Sequence, residues 1–380
     1  MSDLLEFFKA RTEAIIAQTQ TLVGYESPTP DKALNDLLGD YCRQQLEALG
    51  ARVQVYPRHT VGDILWGVWN EDAPGRPLMI LCHRDTVWPV GTLAKMPWSR
   101  DEYKIYGPGA LDMKASLAMA WEAIAGLQTL GQFPQRPIWM LITSDEETGS
   151  AESRHLILEL GQQCALCLVM EPSAENEGLK SSRKGIGRYW VTATGRTSHA
   201  GSSPEEGINA IVELAHHTLA IQALNQLRQG TSVSVTQVQG GIAGNVIPDQ
   251  ASLYVDVRFF YQAEAERVHQ AMLGLSPVLP GAALEVTGGI DRPPMERDAL
   301  MVNTIQQAQH LASQLGFSLG ESAVGGVSDG NLTASAGIPT LDGLGPLGTG
   351  AHALHEQVLI RTLARRTALL ASLLRDWQDI

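Results

Sequence analysis

Two histidines and three carboxylates, His83, Asp112, Glu147, Glu171 and His352, fall just past apolar runs or Gly-rich loops of this 380-residue chain. That donor set is what two adjacent divalent ions require, so the first chemistry to consider is metal-assisted hydrolysis. His83 and Asp85 are two apart, which in an extended segment puts both on one side. The pair suits His83 as ligand and Asp85 as the carboxylate that fixes its tautomer. Asp112 sits in YGPGALDMKA (106–115), where it could N-cap the helix that follows or hold two ions with its two oxygens. Glu146 and Glu147 are adjacent like charges, unfavourable unless solvated or offset by cations. One can bind metal while the other takes a proton from the attacking water and passes it to the leaving nitrogen. Glu171, before Pro172, would be a terminal carboxylate. His352 is preferred over its neighbour His355 because it directly follows the Gly-rich stretch 343–350.

These residues need a scaffold that delivers them to one place. Ligands of open α/β sheets bind beyond the carboxyl ends of the strands. Apolar runs at 78–82, 137–144, 164–170 and 338–341 read as buried strands, and they lead into His83-Arg84-Asp85, Asp145-Glu146-Glu147, Glu171 and the loop to His352. Helical spacing over 3–24, 31–49, 113–130, 151–160, 300–315 and 359–377 alternates with them, which predicts an α/β layer with a mixed, largely parallel sheet flanked by helices. The turn signal SPTP (27–30) separates the first two helices. Between 181 and 291 the order becomes strand 187–194, helix 206–224, strands 231–240 and 251–260, helix 262–275 and strand 283–287. This βαββαβ order is the ferredoxin-like split unit, an inserted second domain. The expected division is 1–180 and 292–380 for the catalytic domain and 181–291 for the insertion.

Composition narrows the function classes. The chain is 44% hydrophobic and 18% charged, as a folded protein is. Its formal net charge of −13 argues against nucleic acid or an anionic membrane as partner, and bound cations would offset part of it. The N-terminus has early acids and a helical period rather than a basic region followed by an apolar stretch, and no apolar run is long enough to span a bilayer. Four cysteines, among them the CALC pair at 164–167, suit a reducing compartment and buried structural roles, so a cytoplasmic protein is expected.

Taken together, CHRDTVWPVG (82–91), GALDMKAS (109–116), DEETGS (145–150), VMEPS (169–173), TSHAG (197–201), GNVIPD (244–249), DVRF (256–259), GGVSDGN (325–331) and GLGPLGTGAH (343–352) resemble the co-catalytic zinc peptidases and amidohydrolases. That family includes glutamate carboxypeptidases, aminoacylases, acetylornithine deacetylase and succinyl-diaminopimelate desuccinylase, and these motifs look most like the glutamate carboxypeptidase branch. Ala115 and Cys82 stand where the family more often has smaller residues; neither change removes a ligand.

The resemblance implies two Zn2+ per subunit, with Co2+ or Mn2+ able to substitute, held by His83, Asp112, Glu147, Glu171 and His352 with Asp112 bridging. It gives Asp85 and Glu146 catalytic roles and makes the inserted domain a lid that also forms a homodimer. His199 matches the lid histidine that stabilises the tetrahedral intermediate in the neighbouring subunit; without the resemblance it reads as a strand-end surface residue. Asn245 would assist it, and Arg258 would grip the substrate's free carboxylate, a task a guanidinium suits. The expected reaction is cleavage of an amide or peptide bond next to a free carboxylate in a small peptide or N-acyl amino acid, releasing a C-terminal amino acid. The alternatives are an N-acyl amino acid deacylase, an aminopeptidase that has no use for Arg258, and a non-catalytic ligand-binding relative.

Overall fold

Apolar runs with no polar side to turn to water form the middle of a sheet in the computed structural model, which describes residues 3–380. The chain supplies strands β1 (Arg52–Tyr56), β2 (Ile64–Trp69), β3 (Leu78–His83), β4 (Ile138–Thr143), β5 (Leu166–Val169) and β6 (Leu179–Arg183). It continues with β7 (Gly185–Thr194), β8 (Ser232–Gly240), β9 (Gln250–Phe259) and β10 (Ala283–Arg292), then β11 (Glu321–Val324) and β12 (Thr340–Asp342). Two compact units result. One comprises the chain up to Ser181, Arg297–Val324 and Ser328–Ile380; the other comprises Ser182–Glu296 with Gly325–Val327.

In the first unit the sheet runs β1-β2-β4-β3-β5-β12-β6-β11. β4, β3, β5 and β12 are parallel to one another, while β1, β2 and β6 pair antiparallel. The mixed, largely parallel sheet expected from the sequence is therefore present, and every residue of β3 and β4 is buried. Register puts His83 beside Thr143 and Leu81 beside Val169, so β3, β4 and β5 end at one edge. The helix Ala115–Thr129 is buried on nearly all sides, as its Ala, Leu, Met and Trp content allows. The helix expected over 3–24 is two, Asp3–Ala10 and Thr12–Val23. Arg11 between them leaves helical geometry, and its guanidinium forks onto buried Glu122 at 2.7 and 3.1 Å. All four cysteines are buried free thiols, including the pair at 164 and 167. Among the described residues no helix is long and apolar enough to cross a membrane.

In the second unit the antiparallel sheet runs β8-β9-β7-β10. Helices Ala210–Gln222 and Gln262–Leu273 bury Leu214, Ile221, Val268 and Met272 against Tyr189, Val191, Val233 and Val255. This is the split βαββαβ order. The last strand outruns its expected end at 287, since Gly288 and Gly289 stay in register with Tyr189 and Arg188 of β7.

A buried carboxylate holds one corner of this unit. Glu213 accepts from the backbone N–H groups of Val278 and Leu279, each at 2.8 Å, and meets His217 Nε2 at 2.8 Å. Burial raises its pKa, but those bonds outweigh burial and hold it below the usual carboxylate range. A lowered folded value means that its contribution is complete above the unfolded pKa of about 4.3 and fades as pH falls through the folded value. Glu213→Ala removes the charged acceptor shared by two backbone N–H groups and His217 and is expected to cost about 1–3 kcal/mol in urea unfolding at pH 7, with the gap from wild type closing in acid.

Candidate metal centre

His83 closes β3, and its Nε2 stands 3.1 Å from Asp112 Oδ1 and 3.6 Å from Glu171 Oε1. His352 Nε2 stands 3.5 Å from Asp112 Oδ2 and 3.1 Å from Glu147 Oε2. Asp112 thus turns one oxygen to each imidazole. Ligand atoms of His83, Asp112 and Glu147 lie within 4.8 Å of one another, as do those of His83, Glu146 and Glu171. Seven of the residues singled out in the sequence meet here, since Asp85 is the immediate neighbour of His83.

Asp85 is wholly buried and works through the backbone as well as through His83. His83 Nδ1 is 3.0 Å from the Asp85 carbonyl oxygen and 3.5 Å from its carboxylate, so a proton on Nδ1 is held there and Nε2 keeps its lone pair. The carboxylate also accepts from the N–H groups of Glu146 (3.4 Å) and Glu147 (3.2 Å), which fixes the turn carrying both acids. Asp112 does not cap a helix. It has extended φ and ψ of −118° and 92°, and the helix beyond it has no side-chain cap. His352 takes a left-handed φ of 62°, unusual for a residue with a Cβ and a recurrent feature of functional sites. His355 is exposed, and the imidazole facing the carboxylates is that of His352.

The loop leading to His352 is tied to the end of β5. Gly345 donates to the Glu171 carbonyl at 2.8 Å, and a Cβ at Gly345 would lie 2.7 Å from the carbonyl oxygens of Met170 and Glu171. Only glycine allows that approach. Arg366, fully buried, donates to the carbonyls of Gly343, Gly345 and Glu177, and burial pushes it down to about 9.

A pair of cations fits this arrangement. Three carboxylates face two imidazoles, and Glu147 Oε1 is buried with no hydrogen-bond partner among the described residues, a costly state for an acceptor unless an ion meets it. Burial pushes the Glu147 carboxyl up to about 7. Asp112 and Glu147 push the His352 imidazole up to about 10. Burial would lower His83, but Asp112, Asp85 and Glu171 outweigh it and hold it well above its ordinary value. Positive charge is thus demanded at both imidazoles, and an ion binding there displaces their protons.

Sequence reasoning missed three supports. Thr29 donates to Asp85 Oδ2 at 2.7 Å from the SPTP segment, whose composition signals only a turn between helices. Lys180 Nζ lies 3.8 Å from Glu171 Oε2. Glu356 gathers backbone donors of the Asp112 loop. An acid four residues past His352 was visible, but nothing in the sequence aimed it at that loop.

The remaining three candidates belong to the second unit. His199 lies in a two-residue strand, Ser198–His199, paired with Val246–Ile247. Its Nδ1 accepts from the N–H groups of Gly201 and Ser202 at 3.1 Å each, so in the neutral ring the proton sits on Nε2. Asn245 adjoins it, its carbonyl accepting from Ala200 N–H at 3.0 Å. Arg258 on β9 is engaged locally: its fork meets Asp256 Oδ1 at 2.8 Å and Oδ2 at 3.0 Å.

The sequence profile of peptidase family M20/M25/M40 matches residues 79–376, the segment that contains every residue of this centre. The chain belongs to that family. Carboxypeptidase G2 of Pseudomonas sp. (strain RS-16) is 32% identical over 97% of this chain and 91% of its own length. The succinyl-diaminopimelate desuccinylase of Delftia acidovorans is 28% identical over 92% of this chain and 96% of its own. Among solved structures, a dinuclear metal-binding peptidase of the M20 family from Bacillus subtilis superposes with a TM-score of 0.66 at 18% identity, covering 96% of this chain and 98% of that one, which shows the fold. As an M20 member the chain is a metal-dependent hydrolase of the peptidase and amidohydrolase kind, with the α/β architecture its sequence indicated.

Proposed function

We propose that this M20 hydrolase carries two zinc ions and cleaves the amide bond that links an acyl or peptidyl group to a C-terminal amino acid with a free carboxylate. The observation that carries the reading is Asp112, one oxygen of which lies 3.1 Å from His83 Nε2 and the other 3.5 Å from His352 Nε2. His83 with Glu171 would hold one ion, His352 with Glu147 the other, and Asp112 both. When bound, such ions would polarise the scissile carbonyl and lower the pKa of the attacking water from 15.7 towards about 7.

The protein's own groups do the rest. Asp85 keeps the His83 proton on Nδ1 and holds the Glu146–Glu147 turn in place. Glu146 takes the proton of the attacking water and delivers it to the departing nitrogen. His199 presents Nε2–H to the oxyanion in the site of the adjacent subunit, assisted by Asn245. The second unit would serve as lid and dimer contact, the role that the resemblance of its TSHAG and GNVIPD motifs implies. The free thiols suit the cytoplasm.

Arg258 would bind the substrate carboxylate by exchanging Asp256 for it. Arg258→Ala is expected to raise KM for carboxylate-bearing substrates about 10-fold or more while leaving kcat near wild type, if the grip is equal in ground and transition states. Unchanged steady-state kinetics would remove that role.

A second reading, N-deacylation of acylated amino or diamino acids, is favoured by the desuccinylase relatives that match along nearly the whole chain. A panel of N-acyl and folate-like glutamates, N-succinyl diamino acids, N-acetyl amino acids and unblocked dipeptides, run on protein of measured metal content, separates the two. Fastest turnover of the glutamate conjugates supports the carboxypeptidase reading; preference for succinylated or acetylated amines replaces it, and a requirement for a free amine would make the protein an aminopeptidase.

A further inference from the structure

Glu356 is fully buried four residues beyond His352, and three segments of the chain meet at its carboxylate. Oε1 accepts from the backbone N–H groups of Leu111 at 2.8 Å and Asp112 at 3.1 Å. Oε2 accepts from the N–H of Gly109 and the indole Nε1–H of Trp88, both at 2.9 Å. Trp88 lies on the segment that begins at His83. Glu356 itself is tied toward His352 by its N–H, which donates to the Ala353 carbonyl at 2.9 Å. One carboxylate is therefore linked to the segments that carry His83, Asp112 and His352.

The need for it is local. Asp112 lies ahead of the helix Ala115–Thr129, its N–H needs an acceptor, and the one it meets is Glu356 Oε1. A carboxylate held by four donors is fixed in position and in rotation, and through the Asp112 N–H it fixes the backbone from which both Asp112 oxygens are aimed. We propose that Glu356 is a positioning residue that builds the Asp112 loop, and with it the two-ion geometry, before any ion arrives. This rests on the reading above only in taking Asp112 as a metal ligand.

Zinc affinity, measured on metal-free protein by competition with a chromophoric chelator, is the main readout, together with amide hydrogen exchange of the same sample. Glu356→Gln replaces one acceptor oxygen by an NH2 group facing two donors. Zinc affinity is expected to fall about 10- to 100-fold, as it does when groups behind metal ligands are removed. Exchange should accelerate in residues 107–114 while β3 and β4 stay protected. Affinity within twofold of wild type would overturn the proposal. Should the variant fail to fold, metal-free wild-type protein decides: protection of residues 107–114 before zinc is added supports a prebuilt loop, and exchange at the rate of an open peptide until zinc is added overturns it. Wild-type protein that binds no zinc would instead sink the metallohydrolase reading along with this one.

Discussion

Glu146→Gln protein is expected to hold as many ions as wild type and to turn over about 10²–10⁴ times more slowly, with KM little changed. The substitution keeps the side chain's shape, and the backbone N–H of Glu146 stays bonded to Asp85, so the turn that carries Glu147 is undisturbed. What is lost is the basic oxygen: an amide can neither take the water's proton nor return it to the leaving nitrogen. The geometry also makes the ion count informative. Ligand atoms of Glu146 fall within 4.8 Å of those of His83 and Glu171, so Glu146 competes with Glu147 for a place in the ligand set. Two ions retained with kcat collapsed assigns it to proton transfer; loss of an ion moves it to the ligand set, and normal turnover removes it from the mechanism.

Asp112→Asn should do more damage than any other single change at the centre. Asparagine keeps one acceptor oxygen and turns an NH2 group toward the other imidazole's position, so it can serve one ion at most. Burial would raise the pKa of Asp112, yet His352 and His83 hold it far below the usual carboxylate range, so both oxygens carry charge in the native protein. Elemental analysis after gel filtration is expected to find no more than one ion per chain, with activity below that of Glu146→Gln. Two ions retained with substantial activity would rule out a bridging carboxylate.

Much of this centre was legible because strand ends are legible. The apolar runs at 78–82 and 164–170 have no polar face, so they could only be buried strands, and the first polar residues after them had to emerge at one edge. His352 could be chosen over His355 from the Gly-rich loop before it, a loop whose Gly345 leaves no room for a Cβ. The supports were not legible, because they are long-range. Thr29 reaches Asp85 across 56 positions and Glu356 reaches Asp112 across 244, separations that leave no periodic trace in the sequence. The pairing of Arg258 with Asp256 was hidden for another reason. Alternation along β9 places both on one side, but a two-residue spacing on a strand does not say whether the charges meet each other or a ligand. Short strands β6 and β11, rich in Ser and charged residues, were missed because the sheet around them rather than their own composition makes them strands.

Anomalous diffraction at the zinc edge, from crystals of the zinc-loaded protein, tests the metal pair most directly. Two peaks about 3.5–4 Å apart, one on each side of the Asp112 carboxylate, are expected. His83 and Glu171 should complete the shell of the first peak and His352 and Glu147 that of the second. A single peak, or zinc bound away from Asp112 in a protein that still hydrolyses its substrate, would contradict the two-ion centre.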